Sequence, residues 1–143
     1  MNPSQLATYE AGMLQAAAYR NLTAFMSKAL TPSHITMSEW SLLGVLAVSG
    51  EARPSDIATR MDVKTPMATR LIQSLIEKDL VAEYKVSVDQ RGKMIVMTAA
   101  GKKLLAAEEL TIRQAMRAYM ADVPREDLIG YLRVIEYLAH RQP

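Results

Sequence analysis

At 143 residues and 50% hydrophobic content, the chain is the size of one domain and long enough to bury a core, and a share this high suggests an extra apolar surface such as a dimer interface. It holds no run near the roughly 18 consecutive apolar residues of a membrane span, and its formal net charge of +2 is too small to identify a nucleic-acid partner by bulk attraction. The absence of cysteine excludes disulfides and thiolate metal sites, and the two histidines, His34 and His140, lie far apart without a carboxylate at ligand spacing, so neither metal nor cofactor is expected.

The beginning of the chain lacks a basic segment followed by an apolar core, so a cytoplasmic location with no membrane association is the expectation. From Gln5 to Leu30 there is no proline and one glycine, Gly12; Leu6, Tyr9, Met13, Ala16, Ala17, Arg20 and Ala24 recur at helical spacing. Leu22, Phe25, Met26, Ala29 and Leu30 form a second apolar cluster, and a helix apolar on more than one side needs cover beyond its own domain. Thr31-Pro32-Ser33-His34 breaks it. Thr36-x-x-Glu39 is a capping box opening a short buried helix through Trp40, Leu42, Leu43, Val45, Leu46 and Val48, which ends at Gly50. Trp40 reads either as a core anchor or as part of an apolar effector pocket.

Pro54 suits the first turn of a short helix carrying Ile57 and Ala58. In Thr65-Pro66 a capping hydroxyl precedes a residue pre-set for the first helical turn, so the next helix is expected to start there with Thr65 as its cap. Ala68, Leu71, Ile72, Leu75 and Asp79 fall on one side of it, and Pro66, Met67, Thr69, Arg70, Gln73 and Glu77 on the other. Thr, Arg and Gln side chains near the N-terminal half are what a recognition helix presents to base edges. Any surface helix has a polar side, so the following hairpin carries the argument further.

Val81, Tyr84, Val86 and Val88 mix with polar residues in rough alternation, and Met94-Ile95-Val96-Met97 is a second β-favouring run, so two short strands are expected. Between them Asp89-Gln90-Arg91-Gly92-Lys93 reads as a tight turn with two cations at its tip, suited either to a minor groove or simply to water. From residue 53 to 93 eight cations (Arg53, Arg60, Lys64, Arg70, Lys78, Lys85, Arg91, Lys93) face six anions (Asp56, Asp62, Glu77, Asp79, Glu83, Asp89), a mild positive bias. Thr98 caps a long helix toward Asp122, with Leu104, Leu105, Ala115, Met116, Tyr119 and Met120 as apolar contacts. Pro124 opens a last helix whose Leu128, Leu132, Ile135 and Ala139 share a face.

The set of motifs resembles the MarR family of bacterial winged helix-turn-helix transcriptional regulators along nearly the whole chain. Asp89 and Arg91 match that family's D-x-R wing signature, Met97-Thr98-Ala99-Ala100-Gly101 its L-T-x-x-G sequence, Ile57-Ala58 its L-A, and Arg70-Leu71 its R-L. Four positions depart from it: Asp62 and Asp79 stand where turn glycines are usual, Met67 replaces a common threonine, and Glu83 lies where an arginine is frequent.

The resemblance implies a mainly α fold with a small β-wing, in one domain over 1–143. A winged helix-turn-helix at 36–98 would be flanked by dimerisation helices at 5–30 and 99–142. It implies a homodimer reading a palindromic operator in double-stranded DNA, with recognition helices about 34 Å apart, one DNA turn. Lys64, Thr65, Met67, Thr69, Arg70 and Gln73 are then expected at the major groove, Arg91 and Lys93 at the minor groove or its phosphates, and Asp89 as the group that orients Arg91. The implied mode is a ligand-responsive regulator, a repressor before an activator, whose DNA affinity changes with a small aromatic or phenolic effector; no motif selects the effector or its binding residues. The competing class is a winged-helix module for protein assembly that no longer binds DNA. An enzyme is not expected, since no nucleophile with a base, phosphate-binding glycine loop or metal constellation is visible.

Overall fold

The chain is laid down around the corner that ends its first long helix. The computed structural model describes residues 2–86 and 92–143. Pro3–Gln5 form a 3-10 turn, so helix α1 runs Thr8–Leu30, starting later than the Gln5 expected. Its opening is set by Glu10, whose carboxylate accepts the Ala7 backbone N–H at 2.9 Å. Thr31–Ser33 then tighten into another 3-10 turn, and His34 takes the left-handed conformation (φ 57°) that reverses the chain. Thr36 and Glu39 form the expected capping box, each side chain holding the other's backbone N–H at 3.1 Å. Helix α2 follows over Met37–Ser49 and stops at Gly50, whose φ of 79° a side chain would resist.

Directly after Gly50 the structure adds an element that the sequence pattern did not announce. Glu51–Ala52 form strand β1, paired antiparallel with a later strand, Lys93–Met97, through Glu51↔Val96 and Ala52↔Ile95. Two residues cannot display an alternation, so only tertiary pairing reveals the strand. The sheet thus has three strands in the order β1-β3-β2, where two were expected; β2 is Val81–Lys85 and β3 is Lys93–Met97. Their register runs from Val81↔Met97 to Lys85↔Lys93.

Helices α3 (Pro54–Met61) and α4 (Thr65–Glu77) make the helix-turn-helix. Both aspartates at glycine-type positions adopt the left-handed conformation, Asp62 at φ 53° and Asp79 at φ 59°, so the turns close regularly without glycine. After Asp62 the Val63 N–H reaches back to the Ala58 carbonyl at 3.0 Å, and after Asp79 the Leu80 N–H reaches the Leu75 carbonyl at 2.9 Å. The capping expectation for Thr65 is corrected here. Lys64 occupies the cap position, Thr65 is the first helical residue, and no side chain caps this end.

Helix α5 spans Ala99–Tyr119 and α6 spans Arg125–Ala139. Thr98 caps α5 by accepting the Gly101 N–H at 3.0 Å, while its hydroxyl donates to the Asp79 carbonyl at 2.7 Å and its N–H to the Leu80 carbonyl at 3.1 Å. That stitch joins the end of α4 to the start of α5. Gly101 is required by it: a Cβ there would sit 2.0 Å from the Leu80 carbonyl oxygen.

The core lies inside the winged helix-turn-helix, where Leu42, Leu43, Leu46, Ile57, Leu75 and Ile95 are fully buried along with Leu30 from the end of α1. The outer helices differ. No residue of α6 is buried, and Leu132, Val134, Tyr137 and Leu138 join Tyr9 and Met13 of α1 among the large exposed apolar side chains. The apolar face expected on α6 is therefore open in the single chain. Phe25 and Tyr119 stack at 4.4 Å between ring centroids, tying α1 to the far end of α5. Among the described residues no helix is long and apolar enough to cross a membrane.

Candidate nucleic-acid interface

Helix α4 divides as its pattern predicts. Ala68, Ile72 and Leu75 are buried and Leu71 is half-buried, which turns Met67, Thr69, Arg70 and Gln73 outward together. Asp79, grouped with the inner face by spacing, is exposed because the helix has already ended. Met67 is 40% exposed, a large apolar surface on an otherwise polar helix face and one suited to a thymine methyl. Thr69 donates its hydroxyl to the Thr65 carbonyl at 3.0 Å, leaving its methyl group and oxygen lone pair for a partner. Lys64 and Thr65 are exposed at the helix start, where the first turn carries no acidic residue. An uncapped N-terminus of this kind favours a phosphate by both its N–H groups and its dipole.

The wing divides between described and undescribed residues. Asp89 and Arg91 lie outside the described residues. Lys93 opens β3 directly opposite Lys85 on β2, and its ammonium lies 3.7 Å from the Glu83 carboxylate. Two like charges facing each other across a ladder repel, and Glu83 on the diagonal relieves that repulsion. The acid at the family's arginine position thus has a local role. It also neutralises part of the Lys93 charge, while Lys85, absent from the expected site residues, adds a cation beside it. Only the strand register could place Lys85 there.

A second group that the sequence pattern did not reveal lies beneath the recognition helix. Glu39 is 2% exposed, and besides holding the Thr36 N–H it accepts hydrogen bonds from the Ser74 hydroxyl at 3.0 Å and the Lys78 ammonium at 2.9 Å. Burial alone would raise its pKa. The hydrogen bonds from Lys78, Thr36 and Ser74, with the Lys78 charge, outweigh burial and hold the carboxyl below its ordinary value. Lys78, one of the eight cations counted between residues 53 and 93, is thereby paired with Glu39.

Between α2 and α5 lies a mostly apolar cavity of about 590 Å³, lined by Trp40, Ser41 and Gly44 on one side and Lys102, Leu105 and Glu109 on the other. The Trp40 indole N–H is buried without a hydrogen-bond partner among the described residues. Trp40 packs against the core, and it also lines this cavity. Arg20 instead lines a separate groove along α1, and His34 forms the corner after α1. Among the described residues no cluster of three or more acidic or histidine side chains is arranged to hold a metal.

A recognition helix packed on α3, a β-wing at its end and long helices on either side define a winged helix-turn-helix protein. Residues 35–93 match the model of the MarR family. The HTH-type transcriptional regulator YdgG of Bacillus subtilis is 26% identical over 107 residues, covering 73% of this chain and 70% of that one. A MarR-family regulator from Rhodococcus sp. superposes with a TM-score of 0.84 at 18% identity, over 96% of this chain and 99% of that one. The MarR mutant of E. coli complexed with operator DNA superposes at 0.79 and 15% identity, over 89% and 91% of the two chains. Over residues 35–93 this chain is thus similar to the MarR family, and its fold is that of winged helix-turn-helix proteins.

Proposed function

We propose that the chain is a cytoplasmic, ligand-responsive repressor that binds a palindromic operator in double-stranded DNA as a homodimer. The observation that carries the DNA reading is the outward face of α4, where Met67, Thr69, Arg70 and Gln73 stand exposed together beside an uncapped helix start. In this reading those residues, with Lys64 and Thr65, approach the major groove, while Arg91 and Lys93 reach the minor groove or its phosphates and Asp89 orients Arg91. The dimer reading rests on the uncovered apolar side chains of α1 and α6, in the segments 5–30 and 99–142. The winged helix-turn-helix at 36–98 then forms one reading head of two in a single 1–143 domain per chain.

The effector reading rests on the α2–α5 cavity. Its apolar walls and the Lys102 ammonium suit a flat aromatic or phenolic molecule carrying an acceptor oxygen. A ligand that prefers one spacing of α2 and α5 changes DNA affinity reciprocally. A protein-assembly module that no longer binds DNA is the alternative, favoured by the Glu83–Lys93 pair, which removes part of a wing cation from reach of phosphate.

Selection of bound duplexes from a random pool, at moderate and raised salt, separates the two. Enrichment of a palindrome with half-sites one turn apart is the expected result. Weak, salt-sensitive binding with no enriched sequence would replace the regulator by the assembly module.

A further inference from the structure

A capping box needs one carboxyl oxygen on one backbone N–H, and glutamine serves it as well as glutamate. Glu39 does more than that. Its Oε1 accepts the Thr36 N–H and the Lys78 ammonium, and its Oε2 accepts the Ser74 hydroxyl and the same ammonium. Ser74 and Lys78 are one helical turn apart at the C-terminal end of α4, so one buried carboxylate at the start of α2 grips the recognition helix at two points. Lys78 also donates to the His34 carbonyl at 2.7 Å, which brings in the corner between α1 and α2. The same corner is held from its other side, where the Ser33 hydroxyl donates to Glu108 of α5, a residue only 7% exposed.

The grip lies away from the reading surface. Met67 is seven residues before Ser74, about 10 Å along the axis at the rise of an α-helix. Rotation of α4 about its axis, or a tilt at the gripped end, therefore moves Met67, Arg70 and Gln73 relative to any base edge they meet. Recognition by side chains tolerates errors of only about 0.5 Å or 10–20°. Glu39 itself is buried and cannot meet DNA.

We propose that Glu39 is the positioning residue of the recognition helix: by holding Ser74 and Lys78 while it caps α2, it sets the angle at which Met67, Arg70 and Gln73 present themselves and so governs sequence discrimination without touching DNA. This rests on the DNA-reading function proposed above. An ordinary buried ion pair would contribute to stability alone, and the two roles predict different things.

The test compares wild type, Glu39→Gln and the milder Ser74→Ala, each below its own melting range. The glutamine keeps volume and the capping acceptor but loses the charge partner of Lys78. Binding is measured to the duplex the wild type selects and to a scrambled duplex, across salt. Glu39→Gln is expected to lower the affinity ratio by about tenfold, the scale of one good base contact, with the salt slope unchanged because phosphate contacts persist. Ser74→Ala should move the ratio the same way by less. In DNA-free protein, amide exchange should quicken at residues 74–78 in Glu39→Gln while Ile95 in the sheet stays protected.

A lower melting temperature with an unchanged affinity ratio in both variants would overturn the proposal, as would unaltered exchange at residues 74–78. A wild type that prefers no duplex would remove the DNA-reading function itself and this role with it. The exchange result distinguishes the cases, since it reports the grip without DNA.

Discussion

The reading head and the outer helical layer contrast in how they are finished. In the head, α2, α3, α4 and the sheet bury a common set of leucines and isoleucines, and turns, caps and side chains stitch neighbouring elements together. In the outer layer, α6 buries nothing, and α1 exposes Tyr9, Met13 and Tyr19. A helix gains most of its stability by packing an apolar face. The head therefore buries most of its apolar side chains within one chain, whereas α1 and α6 leave apolar side chains uncovered, the surface on which the proposed homodimer rests.

The strongest way to break the head is at Gly101. Gly101→Ala drives a Cβ into the Leu80 backbone oxygen, so about 3 kcal/mol or more of destabilisation is expected in urea unfolding, at the upper end of overpacking costs. A loss under about 1 kcal/mol would mean that α5 lifts away easily and that the junction is loose.

Breaking the outer layer should do the reverse. Leu132→Glu with Leu138→Glu places charge on the exposed α6 face, and sedimentation should show a monomer whose head remains folded. Affinity for a two-half-site duplex should fall by about 10²-fold, since paired sites lose their effective concentration. A double variant that stays dimeric would move the interface away from α6.

A smaller effect tests the buried link within the head. Lys78→Met leaves the Glu39 carboxylate buried with fewer partners and should cost about 2 kcal/mol, below the usual cost of breaking a buried pair because the lysine side chain is 36% exposed. Acid titration sharpens this. The folded-state pKa of Glu39 lies below its ordinary 4.5, so its contribution is complete above that value and is lost as pH falls through the folded one. Glu39→Gln should accordingly flatten the stability profile below pH 4.5, while an unchanged acid limb would assign acid sensitivity to other carboxylates.

The smallest stability effect is expected at Arg91, which the sequence pattern assigns to the turn of the hairpin. Arg91→Ala should change unfolding free energy by no more than about 0.5 kcal/mol, as surface substitutions do, yet weaken operator binding. A collapse of stability would make Arg91 structural.

What the sequence determined alone were the features with local causes. The capping box at Thr36 and Glu39, the stop at Gly50, the helix opening at Pro54, the two faces of α4 and the cap at Thr98 each follow from side-chain chemistry within a few residues. The same local information misassigned the cap of α4, because a threonine before proline serves either as cap or as first helical residue. Tertiary structure decided the rest. Strand β1 exists only because β3 lies beside it, Lys85 and Glu83 acquire meaning only from the ladder register, and Glu39 meets Ser74 and Lys78 across 35 and 39 residues of chain. Contacts between distant residues leave no period in the sequence, since their partners are chosen by how finished helices and strands pack.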